Sequence, residues 1–281
     1  MTMRIAYLIL AHRAPDDLLA MLPALRRHGE TYLHIDRDAP GFEGHWQALA
    51  QHAVFAERRH SVSWGGFGVV AATLALIETA LARGRADYLI LLSGACLPVL
   101  RAESLAERLA GEAGEYIDIM PDVEAARHGR KRRLMHYRFY SKTLPRPVLG
   151  ALNRLSRLAW TRPDFAGAYG EPRFGSMWWC LSRPCLEWAM EFRRTHPAYD
   201  RRFHHSETPD ESYFQTLVSL SPFAERIRGS LTYVDWDKGG SHPKTLSRGD
   251  LPRIQASGQC FARKFDWDHD RDLVRALLDA Y

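Results

Sequence analysis

Apolar and polar positions follow two alternating periods along the first 120 residues. Arg4 to Leu10 is a run of aliphatic and β-branched residues, Pro15 to His28 repeats Leu18, Leu19, Leu22 and Leu25 at helical spacing, and Thr31 to Asp36 is strand-like again. That is the pattern of a βαβ unit. Ala53 to Glu57 continues it as a short strand and Phe67 to Arg83 as an Ala/Leu-rich helix, while Asp87 to Ser93 (DYLILLS) reads as a strand buried on both faces. A short helix over Ser104 to Ala110 and a strand over Tyr116 to Met120 complete an α/β arrangement: a mostly parallel central sheet flanked by helices.

The pattern breaks at Pro121. The stretch to Gly170 carries the basic run Arg127-His128-Gly129-Arg130-Lys131-Arg132-Arg133 and the prolines of Leu144-Pro145-Arg146-Pro147, and it reads as a long excursion. It is a solvated loop, or a surface meeting an acidic substrate or an anionic membrane. Regular periods return with a strand over Ser176 to Leu181, helices over Pro184 to Arg194 and Pro209 to Leu220, a strand over Leu231 to Val234 and a terminal helix over Arg271 to Tyr281. No repeat and no Gly-, Ser- or Pro-rich linker divides the chain, so one domain over 1–281 is expected.

Composition narrows the class. With 281 residues, 46% of them hydrophobic, the chain fills a large core, which excludes disorder. Lys+Arg 38 against Asp+Glu 33 leaves +5, too little for a nucleic-acid coat yet compatible with a local anion site. Only five of the cations are lysines (Lys131, Lys142, Lys238, Lys244, Lys264), so each is a departure from arginine. The four cysteines form no C-x-x-C pair and no zinc-spaced cluster, which points to a reduced, cytoplasmic chain. The apolar run at Met1 to Ala11 ends in His12-Arg13 without a cleavage site, and no segment reaches the ~20 apolar residues of a membrane span.

Candidate chemistry lies at the ends of the expected strands. The turn Ala11-His12-Arg13-Ala14-Pro15 has no glycine, which excludes a dinucleotide fingerprint, and no P-loop is present. Asp36, at the carboxyl end of a parallel strand, either hydrogen-bonds a ribose or uracil or caps the following turn. Asp36-Arg37-Asp38 also has the Asp-x-Asp form that binds a divalent metal under a nucleotide diphosphate. Ser63-Trp64-Gly65-Gly66 opens the Phe67 helix and lets backbone amides approach a ligand, or is simply a turn.

Thr208-Pro209-Asp210-Glu211 reads as a capping box and, compatibly with it, as a helix terminus holding Glu211 anionic for use as a general base. Lys244 and Lys264 are two surface lysines, or a pair of ammonium groups able to hold a pyrophosphate without a metal. Trp178 and Trp179, after Gly175-Ser176, and Trp236, after Tyr233 and Asp235, suit a sugar face or the core.

In combination, Tyr7-Leu8-Ile9-Leu10-Ala11-His12, His34-Ile35-Asp36, Ser63-Trp64, Leu92-Ser93-Gly94, Gly175-Ser176, Pro209-Asp210-Glu211 and Lys264-Phe265-Asp266, in this order, resemble one glycosyltransferase domain. It is the domain shared by the core-2/I-branching β-1,6-N-acetylglucosaminyltransferases and the peptide O-xylosyltransferases. The resemblance implies a GT-A fold, an inverting mechanism, a UDP-sugar donor and no metal or other cofactor. It implies a nucleotide-binding half over 1–120 and an acceptor-binding and catalytic half over 121–281.

By the same resemblance Glu211 is the catalytic base, and Asp36 is the uridine-side acid, with Ala11, His12, Arg37, Ser63 and Trp64 on the donor. Lys244, where the branching enzymes carry Arg, and Lys264 neutralise the diphosphate. Gly175, Ser176, Trp178, Asp235 and Trp236 face the glycan acceptor. A bacterial enzyme of surface polysaccharide synthesis follows, cytoplasmic and in contact with the inner membrane through 127–133. Two alternatives stay open: a metal-dependent transferase using Asp36 and Asp38, and an inactive carbohydrate-binding paralogue.

Overall fold

The most apolar segments form the centre of the molecule. In the computed structural model, which describes residues 3–160, 162, 165–236 and 242–281, β1 (Ile5–Ala11) is followed by α1 (Pro15–Arg26), β2 (Glu30–Ile35), α2 (Trp46–Ala50), β3 (Val54–Phe55), α3 (Gly68–Arg83) and β4 (Tyr88–Ser93). β1 is parallel to both β2 and β4, and β2 to β3. Every β1 residue except Leu10 is buried, as expected of a strand covered on both faces. β5 (Leu97–Pro98), α4 (Ala102–Glu112) and β6 (Glu115–Tyr116) follow.

The expected excursion is folded. It contains α5 (Asp122–Arg127), α6 (Arg132–Met135), α7 (Arg146–Ala159) and α8 (Ala166–Tyr169), so the loop reading is corrected. Pro147, in the first turn of α7, needs no helical hydrogen-bond partner there, and its presence begins the helix instead of breaking the chain. β7 (Cys180–Ser182) is shorter than the expected Ser176–Leu181 strand. It enters the sheet between β4 and β6, antiparallel to both.

α9 (Arg183–Thr195), α10 (Pro197–Phe203) and a 3-10 turn at Pro209–Glu211 lead to α11 (Tyr213–Ser219), then β8 (Ile227–Arg228), β9 (Thr232–Val234), α12 (Leu251–Ala256), β10 (Phe261–Arg263) and α13 (Arg271–Ala280). β8 pairs in parallel with β6, giving a seven-stranded sheet in the order β3-β2-β1-β4-β7-β6-β8 in which β7 alone is reversed. The mostly parallel sheet expected from the pattern is present. A second sheet has the order β5-β10-β9, and the Phe265 amide, just past β10, donates to the Ala95 carbonyl just past the end of β4.

Two registers place the functional residues. Ala11 pairs with Ile35, so His12 and Asp36 leave the large sheet side by side, and the Asp36 amide donates to the Ala11 carbonyl at 2.8 Å. Arg263 pairs with Val234 in parallel, so Lys264 and Asp235 leave the small sheet together. The segment between them is tied to both strand ends: the Lys244 amide donates to the Asp235 carbonyl and the Leu246 amide to the Lys264 carbonyl, each at 2.8 Å. The C-terminus closes back on the core, where the Tyr281 and Tyr7 hydroxyls meet at 2.5 Å. All four cysteines are buried and free.

Candidate active site

Glu211 does not cap its own turn. Thr208 adopts a left-handed conformation (φ 47°) in which its side chain makes no cap, so the capping-box reading is corrected; the box in this chain is Ser247 with Asp250. Thr208 is positioned by its amide, which donates to the Gly65 carbonyl at 2.9 Å, and the Glu211 carbonyl accepts from the Gly175 amide at 2.9 Å. A side chain at Gly175 would place its Cβ 2.0 Å from the Asp118 carbonyl oxygen, so only glycine allows this approach. The Ser176 amide donates to Asp118 Oδ2 and the Ser176 carbonyl accepts from Gln215. Gly175-Ser176 is therefore the wall behind the Glu211 turn.

The Glu211 carboxylate is held from one side only. Arg130 Nη1 and Arg133 Nη1, the latter at 2.5 Å, both donate to Oε2, and Arg133 also donates to the Thr208 hydroxyl. Oε1 accepts no bond among the described residues, and the side chain keeps 31% of its surface exposed. The basic run is thus not a free surface: two of its arginines serve Glu211, and Lys131 is paired with Glu171. Beside Glu211, Asp210 Oδ1 is shut off from solvent without a partner. Burial, and then the Glu211 charge, raise the Asp210 carboxyl from the ordinary 3.8 to about 7.

The excursion also reaches the sheet edge at Asp36. Lys142 Nζ lies 3.2 Å from Asp36 Oδ2 and 2.9 Å from Asp38 Oδ2, placing an ammonium where a metal would bridge an Asp-x-Asp pair. Asp36 is buried, and its Oδ1 accepts from the amides of Asp38 and Val62. Asp38, bonded by Ser61 and Lys142, is held down at about 2. No group of three His, Cys, Asp or Glu suited to a metal occurs among the described residues. Arg37 is exposed and pairs with Asp38, while His34 accepts from the His60 amide and is pushed down to about 4 by burial, a structural, neutral histidine.

Gly65 and Gly66 do not open a space for a ligand. Both face the Tyr140 ring, within 3.4 Å of where a Cβ would stand, so the turn receives an aromatic side chain from the excursion. Ser63 closes the turn by accepting from the Gly66 amide, and Trp64 stands 77% exposed with its edge toward His242. Tyr140, Lys142 and Arg130/Arg133 together make residues 130–142 a strap across the edge from Asp36 to Glu211.

The two expected diphosphate lysines differ. Lys264 has no acidic partner within bonding distance among the described residues. Burial, and then the charges of Arg13 and Arg263, lower its ammonium below the usual lysine range. Arg263 lies 4.4 Å over the Trp178 ring with its Nε buried and unpaired, so this cationic group lacks an anion. His12, lowered by burial and by Arg13, sits between Asp36 and Lys264.

Lys244 instead points at Asp250, 2.7 Å away, which also receives Arg253 and is held well below the usual carboxylate range. Asp235, expected at the acceptor, pairs with Arg253 at 3.1 Å. Trp178, expected to face a sugar, is buried beneath Arg263, whereas Trp236 is 57% exposed. Lys238, another of the five lysines, lies outside the described residues.

Arg13, Arg130, Arg133, Lys142, Asp210 and Arg263 lie at the candidate site although the motifs assigned them no role there. Two signals pointed toward them. Lys142 is one of five lysines in an arginine chain, and Arg130 and Arg133 stand three apart, on one side of a helical turn. No curated protein matches the chain. The sequence profile of the Core-2/I-Branching enzyme family matches residues 5–256, which includes every site residue above except Arg263 and Lys264. With its GT-A-like sheet and a match over most of its length, this chain belongs to the Core-2/I-Branching enzyme family of glycosyltransferases.

Proposed function

We propose that the chain is an inverting transferase that moves a sugar, GlcNAc ahead of xylose, from a UDP-sugar to a hydroxyl of a glycan acceptor, without a metal. One observation carries the reading: both arginines grip Oε2 of Glu211 and, among the described residues, nothing bonds Oε1. The pair orients the carboxylate while the free oxygen takes the acceptor proton. As that proton leaves, the acceptor oxygen attacks the anomeric carbon and the bond to UDP breaks in a single displacement. Lys264, with Arg13 and Arg263 beside it, stabilises the charge growing on the departing diphosphate. Lys244 acts as a second cation from the adjoining segment once it turns from Asp250.

Lys142 supports the metal-free reading, because a protein ammonium already neutralises Asp36 and Asp38. On the donor, Asp36 takes the uridine with Ala11 and His12 beside it and Arg37, Ser63 and Trp64 at its rim. Gly175, Ser176, Asp235 and Trp236 border the acceptor, which belongs to a bacterial surface polysaccharide. A thermal-shift series over UDP-GlcNAc, UDP-xylose and other UDP-sugars tests the donor, since a ligand that binds only the native state raises its midpoint. The expected result is the largest shift with UDP-GlcNAc; equal shifts with sugars of other nucleotides would remove the UDP assignment.

A further inference from the structure

Helix α7 is built inside out. Among its residues whose side chains are described, only Asn153 and Ser156 are fully buried, and both are polar. Asn153 Oδ1 accepts from the Phe139 amide at 2.8 Å and its Nδ2 donates to the Phe139 carbonyl, while the Ser156 hydroxyl donates to the Tyr137 carbonyl at 2.7 Å. The inward face thus grips the strap through Asn153 and Ser156, with Leu149 and Leu152 half-buried beside them. Outward, Val148, Ala151, Leu155 and Leu158 stand at i, i+3, i+7 and i+10 on one stripe, with Leu155 60% and Leu158 80% exposed. Trp160, at the helix end, is also exposed, and the Arg162 amide on the Met135 carbonyl brings exposed Met135 near that end. So many large apolar side chains in water on one face mark an interaction surface.

The charge around this stripe identifies the partner. Residues 125–163 hold eleven of the chain's 38 Lys and Arg and none of its 33 Asp and Glu; Arg130, Lys131, Arg133 and Lys142 are paired with acids elsewhere in the chain, which leaves the excess on α7 and the segments beside it. Arg146, Arg154 and Arg157 are exposed on the flank of the stripe. A second copy docking stripe to stripe would set two such positive regions face to face, which like charge opposes. A nucleic acid would meet the cations but leave the leucines and Trp160 uncovered. An anionic bilayer satisfies both at once: acyl chains take the stripe, Trp160 sits at the headgroup level, and the arginines meet the lipid phosphates.

We infer that α7 with Trp160 is an interfacial helix that docks the protein on an anionic membrane surface. Because Asn153 and Ser156 hold the backbone that carries Tyr140 and Lys142, docking also holds the strap over the active-site edge and turns that edge toward acceptors carried on the membrane. The inference is independent of the donor and of the catalytic base.

The test is flotation of the full chain with vesicles of phosphatidylcholine plus phosphatidylglycerol, against phosphatidylcholine alone, at low and high salt. The expected result is binding to the anionic vesicles that weakens in salt and on neutral vesicles. The double variant Leu155→Glu/Leu158→Glu should bind at least about tenfold less, with an unchanged thermal midpoint, while Leu220→Glu, exposed elsewhere, binds as the wild type. Failure of the wild type to float, or equal flotation of the double variant, overturns the inference. So does a wild-type dimer, seen by light scattering without vesicles, that the double variant converts to monomer.

Discussion

Asp210 allows a stability prediction whose size comes from the site itself. Its carboxyl titrates near 7 in the folded chain because it is buried beside Glu211, whereas in the unfolded chain it returns to about 3.8. A carboxyl raised on folding contributes stability that is fully present below the unfolded value and is lost as pH climbs through the folded one. The gap of about three pH units, at 1.36 kcal/mol per unit, caps the total loss at roughly 4 kcal/mol. Partial solvent access to the side chain reduces this, and only part of the window lies above pH 5, so a loss of about 1 to 2 kcal/mol is expected between pH 5 and 8. Asp210→Asn has nearly the same shape and nothing to titrate. Urea unfolding of both proteins at several pH values should therefore show the variant gaining on the wild type by that amount from pH 5 to 8, other groups cancelling in the difference. Parallel curves would mean that Asp210 is solvated and ionised, and the description of the Glu211 turn would be wrong.

Glu211→Gln should lower kcat by about 10² to 10⁴ with UDP affinity and thermal midpoint nearly unchanged, checked by steady-state kinetics and calorimetry. Lys264→Ala should lower kcat/KM by roughly one to three powers of ten, as expected for one lost donor at a site of developing charge. Lys244→Ala should cost less, because its ammonium rests on Asp250; equal losses at both positions would show a symmetric clamp instead. Gly175→Ala should destabilise by about 3 kcal/mol in urea unfolding, since the new methyl collides with the Asp118 carbonyl. Lys142→Ala should remove the ammonium shared by Asp36 and Asp38 and let Mn²⁺ raise the thermal midpoint, an effect expected to be absent in the wild type.

The central sheet was legible because β1 and β4 are near-continuous apolar runs whose burial on both faces leaves one reading, and β2, with Tyr32, Leu33 and Ile35, follows α1 as the next strand of a βαβ unit. Their carboxyl ends then located His12 and Asp36. The excursion was not legible for the reason that makes α7 unusual. A helix that buries Asn153 and Ser156 and exposes leucines contradicts the inward-apolar rule on which the pattern rests. The roles of Arg130, Arg133 and Lys142 depend on partners 78 to 106 residues away, beyond any local spacing. At Thr208 the local spacing actively misled, because the bond of its amide to Gly65 favours a left-handed backbone over a cap. Trp178 had two open readings, and the Arg263 guanidinium over its ring decided for burial.

The most direct test is UDP release by the purified chain from UDP-GlcNAc, with a glycan acceptor and EDTA present, for the wild type and Glu211→Gln side by side. The account expects acceptor-dependent release by the wild type that EDTA does not diminish, and loss of nearly all of it in the variant. Release that requires added Mn²⁺ or Mg²⁺, or that survives in Glu211→Gln, would contradict it.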